Sequence, residues 1–109
     1  MAFEHWIFHE LRSFVDYTGH GASLAYWRSL SGYEVDFILN GEMAIEVKAT
    51  KHVDAADLKG LRALRDERML KRYIVVSRDP VRRDVDGITV LPWQEFILAL
   101  WAGELDAGG

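Results

Sequence analysis

The sequence predicts a single α/β domain in which helices cover both faces of a mixed central sheet. Apolar residues recur at helical spacing near both ends of the chain, and three short segments with strand-like alternation follow the first helix. A second helical segment then separates these strands from a further apolar strand. Consecutive strands form an antiparallel meander, whereas a helical crossover leads to another strand, so we expect a mixed sheet covered on both sides.

The first half of the chain contains one helix and three strands. Phe3, Ile7 and Leu11 recur at three- and four-residue spacing and predict a helix over residues 3–17. The glycines that follow Thr18 end this helix, because glycine readily adopts the left-handed conformation of a helix terminus. The three predicted strands span residues 23–30, 33–39 and 43–49.

The second half alternates helices and strands. The predicted elements are a helix over 54–69, a buried strand over 72–77, a short edge strand over 88–91 and a helix over 93–101. Asp54 suits the N-cap of the first of these helices, and Pro92 precedes the last one, close to the first-turn position that proline tolerates. We expect the tail, from about residue 102 to residue 109, to be disordered.

Composition excludes several classes of function. The chain contains no cysteine, which rules out disulfides, thiolate zinc sites and cysteine nucleophiles. Its formal charge of −4 argues against tight, nonspecific binding of nucleic acid by this chain alone. No apolar run approaches the ~20 residues that span a bilayer. Glu4 and Glu10 do not fit a cationic signal peptide, so we expect a cytoplasmic domain without a membrane partner.

The connection between the second and third strands decides which side chains share a face. Asn-Gly at positions 40–41 favours a two-residue type I′ turn, which would pair Leu39 with Glu42 and mix charged and apolar residues on each face. A three-residue connection, or a bulge with the same effect, pairs Leu39 with Met43 instead. It gathers six large apolar side chains on one face: Val35, Phe37, Leu39, Met43, Ile45 and Val47. Each contributes roughly 1.5–3 kcal/mol on burial, so we predict the longer connection.

This register brings two carboxylates together on the opposite face. Asp36 and Glu46 become cross-strand neighbours with Cβ atoms about 4.5–5.5 Å apart, and Lys48 shares their face opposite Glu34. Adjacent carboxylates repel each other, and hard oxygen ligands suit Mg²⁺ or Mn²⁺. A metal site beside a lysine ammonium contains the parts needed to hydrolyse a phosphodiester. The alternative is a solvated sheet face with a cross-strand ion pair worth about 0–1 kcal/mol.

The same residues resemble a known superfamily of nucleases. Asp36, followed after nine residues by Glu46-Val47-Lys48, is similar to the PD-(D/E)XK motif, although Val35 replaces its proline. A closer resemblance is to the C-terminal domain of a group of uncharacterised prokaryotic P-loop ATPases. It is carried by Phe3-Glu4, Tyr26-Trp27-Arg28, 31–37, 45–48, 57–62 and 88–93. The chain itself contains no G-x-x-x-x-G-K-[ST] phosphate-binding loop.

The resemblance implies a restriction-endonuclease-like fold with an αβββαβ core. It also implies that Asp36 and Glu46 bind Mg²⁺ or Mn²⁺ and that Lys48 is catalytic. A glutamate of the first helix would complete the metal site, and we favour Glu4 over Glu10. The corresponding activity is that of a metal-dependent DNA phosphodiesterase. The alternative is a non-catalytic accessory domain that binds a P-loop ATPase domain or a second copy of itself.

Basic and aromatic residues outside this motif are candidates for nucleic-acid contacts. Arg65 falls within the apolar stripe of the second helix, so its side chain must snorkel or reach a carboxylate or a phosphate. Arg65, Arg62 and Lys51 are therefore the expected phosphate contacts. The tryptophans are expected in the core or in an interface rather than as base-stacking platforms. They are Trp6, Trp27, Trp93 and Trp101.

Overall fold

Six strands form one mixed sheet with helices on both faces, which confirms the predicted α/β class. The structure is a computed structural model that describes residues 2–19, 23–67 and 70–107. The helices are α1 (Phe3–Thr18), α2 (Lys59–Glu67), α3 (Trp93–Ala102) and α4 (Glu104–Ala107), with a 3₁₀ turn (Ala55–Leu58) directly before α2. The strands are β1 (Leu24–Arg28), β2 (Glu34–Leu39), β3 (Met43–Val47), β4 (Arg72–Ser77), β5 (Arg83–Val85) and β6 (Ile88–Pro92).

The strand order across the sheet is β1-β2-β3-β4-β6-β5. Strands β1, β2 and β3 form the predicted antiparallel meander, and β4 lies parallel to both β3 and β6. The prediction that residues 88–91 form an edge strand is wrong, because β5 pairs antiparallel with the outer side of β6. The two strands are joined by a tight turn at Asp86 and Gly87, both of which have positive φ.

The β2–β3 connection combines the favoured turn with the favoured register. Asn40 and Gly41 have φ of 56° and 66°, and the Glu42 N–H donates to the Leu39 carbonyl at 3.0 Å, as in a type I′ turn. Leu39 nevertheless pairs with Met43, so Glu42 is an extra residue between the turn and the ladder. The predicted register is therefore confirmed.

The two faces of the sheet carry separate apolar cores. Helices α1 and α3 cover one face, where Ile7, Leu11 and Phe96 pack against Ile45 and Val76. Helix α2 and the 3₁₀ turn cover the other face, and their leucines pack against Ala44, Val75 and Val90. Along β3, the side chains of residues 43, 45 and 47 consequently face α1, so Glu46 and the following Lys48 project toward α2.

A β-bulge interrupts β2 at the position of the predicted site. The pairs on either side of it are Ala25 with Ile38 and Trp27 with Val35. Tyr26 therefore lies opposite two residues, Asp36 and Phe37. Val35 consequently joins the core on the α2 side, while Phe37 packs toward α1. The prediction that Val35 shares a face with Phe37 is wrong, because the extra residue reverses the alternation.

The segments before α2 and after α3 differ in part from expectation. Asp54 is the predicted N-cap, and it forms a capping box with Asp57 at the start of the 3₁₀ turn. Within the segment expected to be a tail, α4 follows closely after α3. Leu105 is 3% exposed, and its carbonyl accepts a hydrogen bond from Arg72 at 2.9 Å.

Among the described residues, no helix has the length and apolarity that a bilayer crossing requires.

A buried network of hydrogen bonds connects the loop after β3 to the end of β4. The Asp79 carboxylate accepts hydrogen bonds from the Ser77 hydroxyl at 2.6 Å, the Val53 N–H at 3.2 Å and Arg83 at 3.0 Å. Burial alone would raise the pKa of Asp79, but these hydrogen bonds outweigh it and hold that pKa below its ordinary value of 3.8. The network fixes the segment that follows Lys48.

We predict that Asp79→Ala lowers the free energy of unfolding by about 2–4 kcal/mol at pH 7, because buried donors lose their acceptor. Since the pKa of Asp79 is lowered on folding, its contribution is present above its unfolded pKa and is lost as the pH falls through the lowered value. Urea unfolding at pH 7 and in acid measures both effects. Asp66→Ala, on the exposed side of α2, is the control and should change stability by less than about 0.5 kcal/mol. Equal losses in the two variants would contradict the assigned role.

Candidate functional site

The carboxyl groups of Asp36 and Glu46 meet where the β2 bulge lies against the end of β3. Asp36 Oδ2 accepts a hydrogen bond from the Val47 N–H at 2.9 Å, which links the Asp36 side chain of β2 to the backbone of β3. The Asp36 carboxylate is also hydrogen-bonded to the Glu46 side chain. The structure thus brings together the two acids that the sequence pattern paired.

Glu46 has a pKa well above the ordinary value of a glutamate. Its side chain is only 6% exposed, and burial is the main reason why its pKa rises from 4.5 to about 9. The hydrogen bond to Asp36 and the negative charge of that carboxylate raise the pKa further, while the Lys48 ammonium and the Asp36 backbone act in the opposite direction. The direction of this shift favours a state of the pair that holds one proton.

Helix α2 approaches this pair so closely that only glycine fits at position 60. A Cβ atom built on Gly60 would lie 2.1 Å from the Glu34 carbonyl oxygen and 3.2 Å from Glu46 Oε2. The helix backbone therefore rests directly on β2 and forms one wall around Glu46. Sequence reasoning missed Gly60, although a glycine inside a helical pattern is a signal for such close contact.

The two acids open onto a polar pocket of about 280 Å³ between β2, β3 and the start of α2. Lys48, Lys59, Asp57 and Glu34 also line it. Asp57 is engaged in the capping box, and Glu34 forms a hydrogen-bonded ion pair with Arg28. Asp36 and Glu46 lie in this pocket outside these two interactions, and Lys48 lines the same pocket.

The carboxyl groups of Asp36 and Glu46 suit a hard divalent cation that takes only a few of its ligands from the protein. Within the ranges that the structure describes, no group of three or more His, Cys, Asp or Glu side chains could enclose a metal ion. Mg²⁺ commonly binds through one or two carboxylates and fills its remaining positions with water and phosphate oxygens. Asp36 and Glu46, adjacent at the wall of a polar pocket, match that requirement, and a bound cation would compete with a proton for them.

The first-helix glutamates do not join the pair, contrary to the sequence-based expectation. Helix α1 packs on the face of the sheet that receives the side chains of Ile45 and Val47, whereas Glu46 projects toward α2. Neither Glu4 nor Glu10 lines the pocket. The expectation rested on the resemblance to the nuclease superfamily and not on which face of the sheet α1 covers.

The arginines of α2 bind the protein itself. Arg65 donates hydrogen bonds to the carbonyl and carboxylate of Asp86, and Arg62 Nε lies 3.4 Å from the same carboxylate. These contacts clamp the β5–β6 turn to α2, so Arg65 reaches a carboxylate, one of the two destinations predicted for it. Lys51 is exposed in the loop after β3, outside the pocket.

Comparison with known families places this arrangement in a group of related domains. The match covers residues 1–96, from α1 into α3, and includes every residue of the pocket. The chain belongs to the family described as domain of unknown function DUF4143. The comparisons with curated proteins and with solved structures returned no match. Membership therefore shows a shared domain and assigns no chemistry to the pocket.

The raised pKa of Glu46 predicts that stability falls as the pH rises. Between pH 4.5 and about 9 the folded protein holds a proton that the unfolded chain releases, so the free energy of unfolding should decrease with a slope approaching ~1.4 kcal/mol per pH unit. Glu46→Gln keeps a hydrogen-bond donor but cannot ionise, so this slope should disappear. Urea unfolding in EDTA across this range measures it. Exposed Glu4→Gln should retain the wild-type slope, and a wild-type slope in Glu46→Gln would refute the raised pKa of Glu46.

The contact at Gly60 predicts that replacing this glycine by alanine destabilises the protein, whereas the same replacement in an open helix is stabilising. In an open helix Gly→Ala stabilises by about 1 kcal/mol, but here the new methyl group meets the Glu34 carbonyl and must push α2 outward. We expect Gly60→Ala to destabilise by roughly 1–3 kcal/mol. Lys59→Ala, at the neighbouring exposed position, provides the control. A stabilised Gly60→Ala in thermal unfolding would mean that α2 does not rest on β2.

Proposed function

We propose that this domain is a divalent-metal-dependent DNA phosphodiesterase of the PD-(D/E)XK type. The observation that carries the proposal is the placement of Asp36 and Glu46 together at the wall of a polar pocket that Lys48 also lines. The motif spacing and the order of helix, meander, helix and strand support the same assignment. Other hydrolytic classes fit less well, because the chain has no cysteine and this pocket contains no histidine.

Asp36 and Glu46 would hold Mg²⁺ or Mn²⁺ in the active domain. When bound, the cation supplies charge that polarises a phosphate oxygen and lowers the pKa of a water molecule. Asp36 is positioned by its hydrogen bond from the Val47 N–H. Glu46 must release its proton for the cation to bind, so acid should oppose loading and a moderately basic solution should favour it.

Lys48 would act on the reacting phosphate and on water. Its backbone N–H donates to the Val76 carbonyl at 2.9 Å, which fixes the residue just beyond the end of β3. Its ammonium interacts electrostatically with Glu46 and lines the same pocket. From there it can donate a hydrogen bond to the attacking water or stabilise the charge that develops on the phosphate oxygens.

Cleavage of supercoiled plasmid and of branched DNA tests the proposal. We expect Mn²⁺- or Mg²⁺-dependent nicking that EDTA abolishes. Asp36→Ala and Lys48→Ala should each reduce the rate by about a hundredfold or more, the scale of a lost electrostatic or proton-transfer contribution. Lys71→Ala is the matched control, because Lys71 pairs with Glu42 beside the opposite end of β4. Calorimetry should detect Mn²⁺ binding in the wild type and not in Asp36→Ala.

Absence of cleavage on every substrate, together with absence of metal binding, would overturn the proposal. A second candidate function would then stand, namely a non-catalytic domain that docks on a P-loop ATPase domain or on another copy. The exposed apolar side chains of Tyr17, Leu98 and Trp101 on α1 and α3 favour it, since the Tyr17 and Trp101 rings lie 5.8 Å apart away from the pocket. For that function the Asp36 and Lys48 variants should be neutral, and Trp101→Ser should abolish association in light scattering.

A further inference from the structure

A second pocket lies at the same end of the sheet as the carboxylate pair. It has a volume of about 370 Å³ and is lined by Ala2, Phe3, Trp6, Arg78 and Trp93. These residues come from the start of α1, the segment directly after β4 and the start of α3. The proposed catalytic chemistry does not use this pocket.

Two tryptophans form the aromatic wall of this pocket. The rings of Trp6 and Trp93 are perpendicular, with centroids 5.1 Å apart, and Trp6 remains 37% exposed. Trp27, by contrast, is 8% exposed and belongs to the core. The expectation of a core or interface position is therefore confirmed for Trp27, whereas Trp6 presents open aromatic surface to the pocket.

Arg78 provides a cation at the rim. Its side chain is exposed and has no hydrogen bond or ion pair within the described part of the chain, while its backbone N–H donates to the Thr50 carbonyl at 2.9 Å. Arg78 can therefore contact a ligand without breaking an internal interaction. An aromatic wall beside an unengaged arginine is the combination that binds single-stranded nucleic acid, through base stacking and phosphate contact.

The two pockets meet at the ends of two adjacent parallel strands. Val47 of β3 pairs with Val76 of β4, so Lys48 and Arg78 lie just beyond neighbouring strand ends. Lys48 faces the carboxylate pocket on the α2 side, and Arg78 faces the tryptophan pocket on the α1 side. Exposed Lys51 lies on the loop that leaves β3 at this edge. A polyanionic strand can thus pass around one basic edge and contact both pockets.

We propose that the pocket of Trp6, Trp93 and Arg78 binds an unpaired nucleobase and its adjacent phosphate, so that the substrate is single-stranded or branched rather than fully paired DNA. The inference rests on the proposed function for the identity of the ligand. A base inside a duplex is already stacked and cannot enter the pocket without being unpaired, which makes the site selective for unpaired strands.

Fluorescence anisotropy with a labelled poly(dT) oligonucleotide in EDTA measures this binding without cleavage. We expect poly(dT) to bind more tightly than a duplex of equal length, and an abasic oligonucleotide to bind roughly tenfold more weakly than poly(dT). Trp6→Leu should weaken poly(dT) binding to the abasic level, and Arg78→Ala should weaken binding of both oligonucleotides. Trp6→Phe should retain the preference for bases. Trp101→Leu, a tryptophan of α3 that contacts Phe14 and Tyr17, is the control and should bind as the wild type does.

The outcomes separate this inference from the proposed function. Metal-dependent cleavage with equal binding of poly(dT) and abasic DNA would overturn the nucleobase site and leave the phosphodiesterase. Base-dependent binding that requires Trp6, without cleavage under any metal, would overturn the phosphodiesterase and leave the nucleobase site. Circular dichroism must show that Trp6→Leu is folded, and Arg78→Ala gives an independent test if it is not. Conversion of a dimer to a monomer by Trp6→Phe or Arg78→Ala, with poly(dT) binding unchanged, would identify a protein interface and overturn the inference.

Discussion

The register of the β2–β3 hairpin is the constraint on which the site depends. Leu39 pairs with Met43 because Glu42 follows a complete Asn-Gly turn as an extra residue, so both turn preference and apolar pairing are satisfied. A slip of one residue would place Glu46 in the core that α1 covers and would expose Ile45 to α2. Burying a carboxyl group among aliphatic side chains without a partner costs several kcal/mol, which excludes the slipped register. This register therefore determines which side chains lie on each face of the sheet and which face each helix covers.

The departures from regular structure converge on one pocket. A bulge in β2 places Asp36, a buried acid lies in β3, and a glycine in α2 permits close approach to the backbone of β2 and to the side chain of Glu46. Each is unfavourable for an isolated strand or helix: the bulge loses a ladder position, Glu46 gives up solvation, and Gly60 weakens its helix. Such exceptions are expected where a protein holds groups for binding or chemistry. Their coincidence distinguishes this pocket from the remaining surface better than its volume does.

Sequence periodicity was sufficient for the sheet core and for the acid pair, because alternation and register are local properties of the hairpin. It failed where the outcome depends on a distant element. The three-residue strand β5 forms by pairing with β6. Val35 lies on the α2 side because Tyr26 of β1 lies opposite two residues of β2. Asp79 is buried because a loop and a strand bring their donors to it. The glutamates of α1 were assigned to the metal site from the resemblance. They lie elsewhere because α1 covers the face of the sheet opposite to that of Glu46.

Under the proposed function, the raised pKa of Glu46 would lessen the negative charge that an anionic substrate meets at the acid pair. With one proton bound, the pair would carry one negative charge instead of two, and Lys48 lines the same pocket. A divalent cation held by these two acids in place of the proton would make the local charge positive where a phosphate would bind. Lys51 and Arg78 extend a basic edge away from the pocket, while the overall charge of −4 reduces binding elsewhere on the surface. Affinity for nucleic acid would then be confined to one edge of the sheet and would depend on metal and pH, rather than spread over the domain.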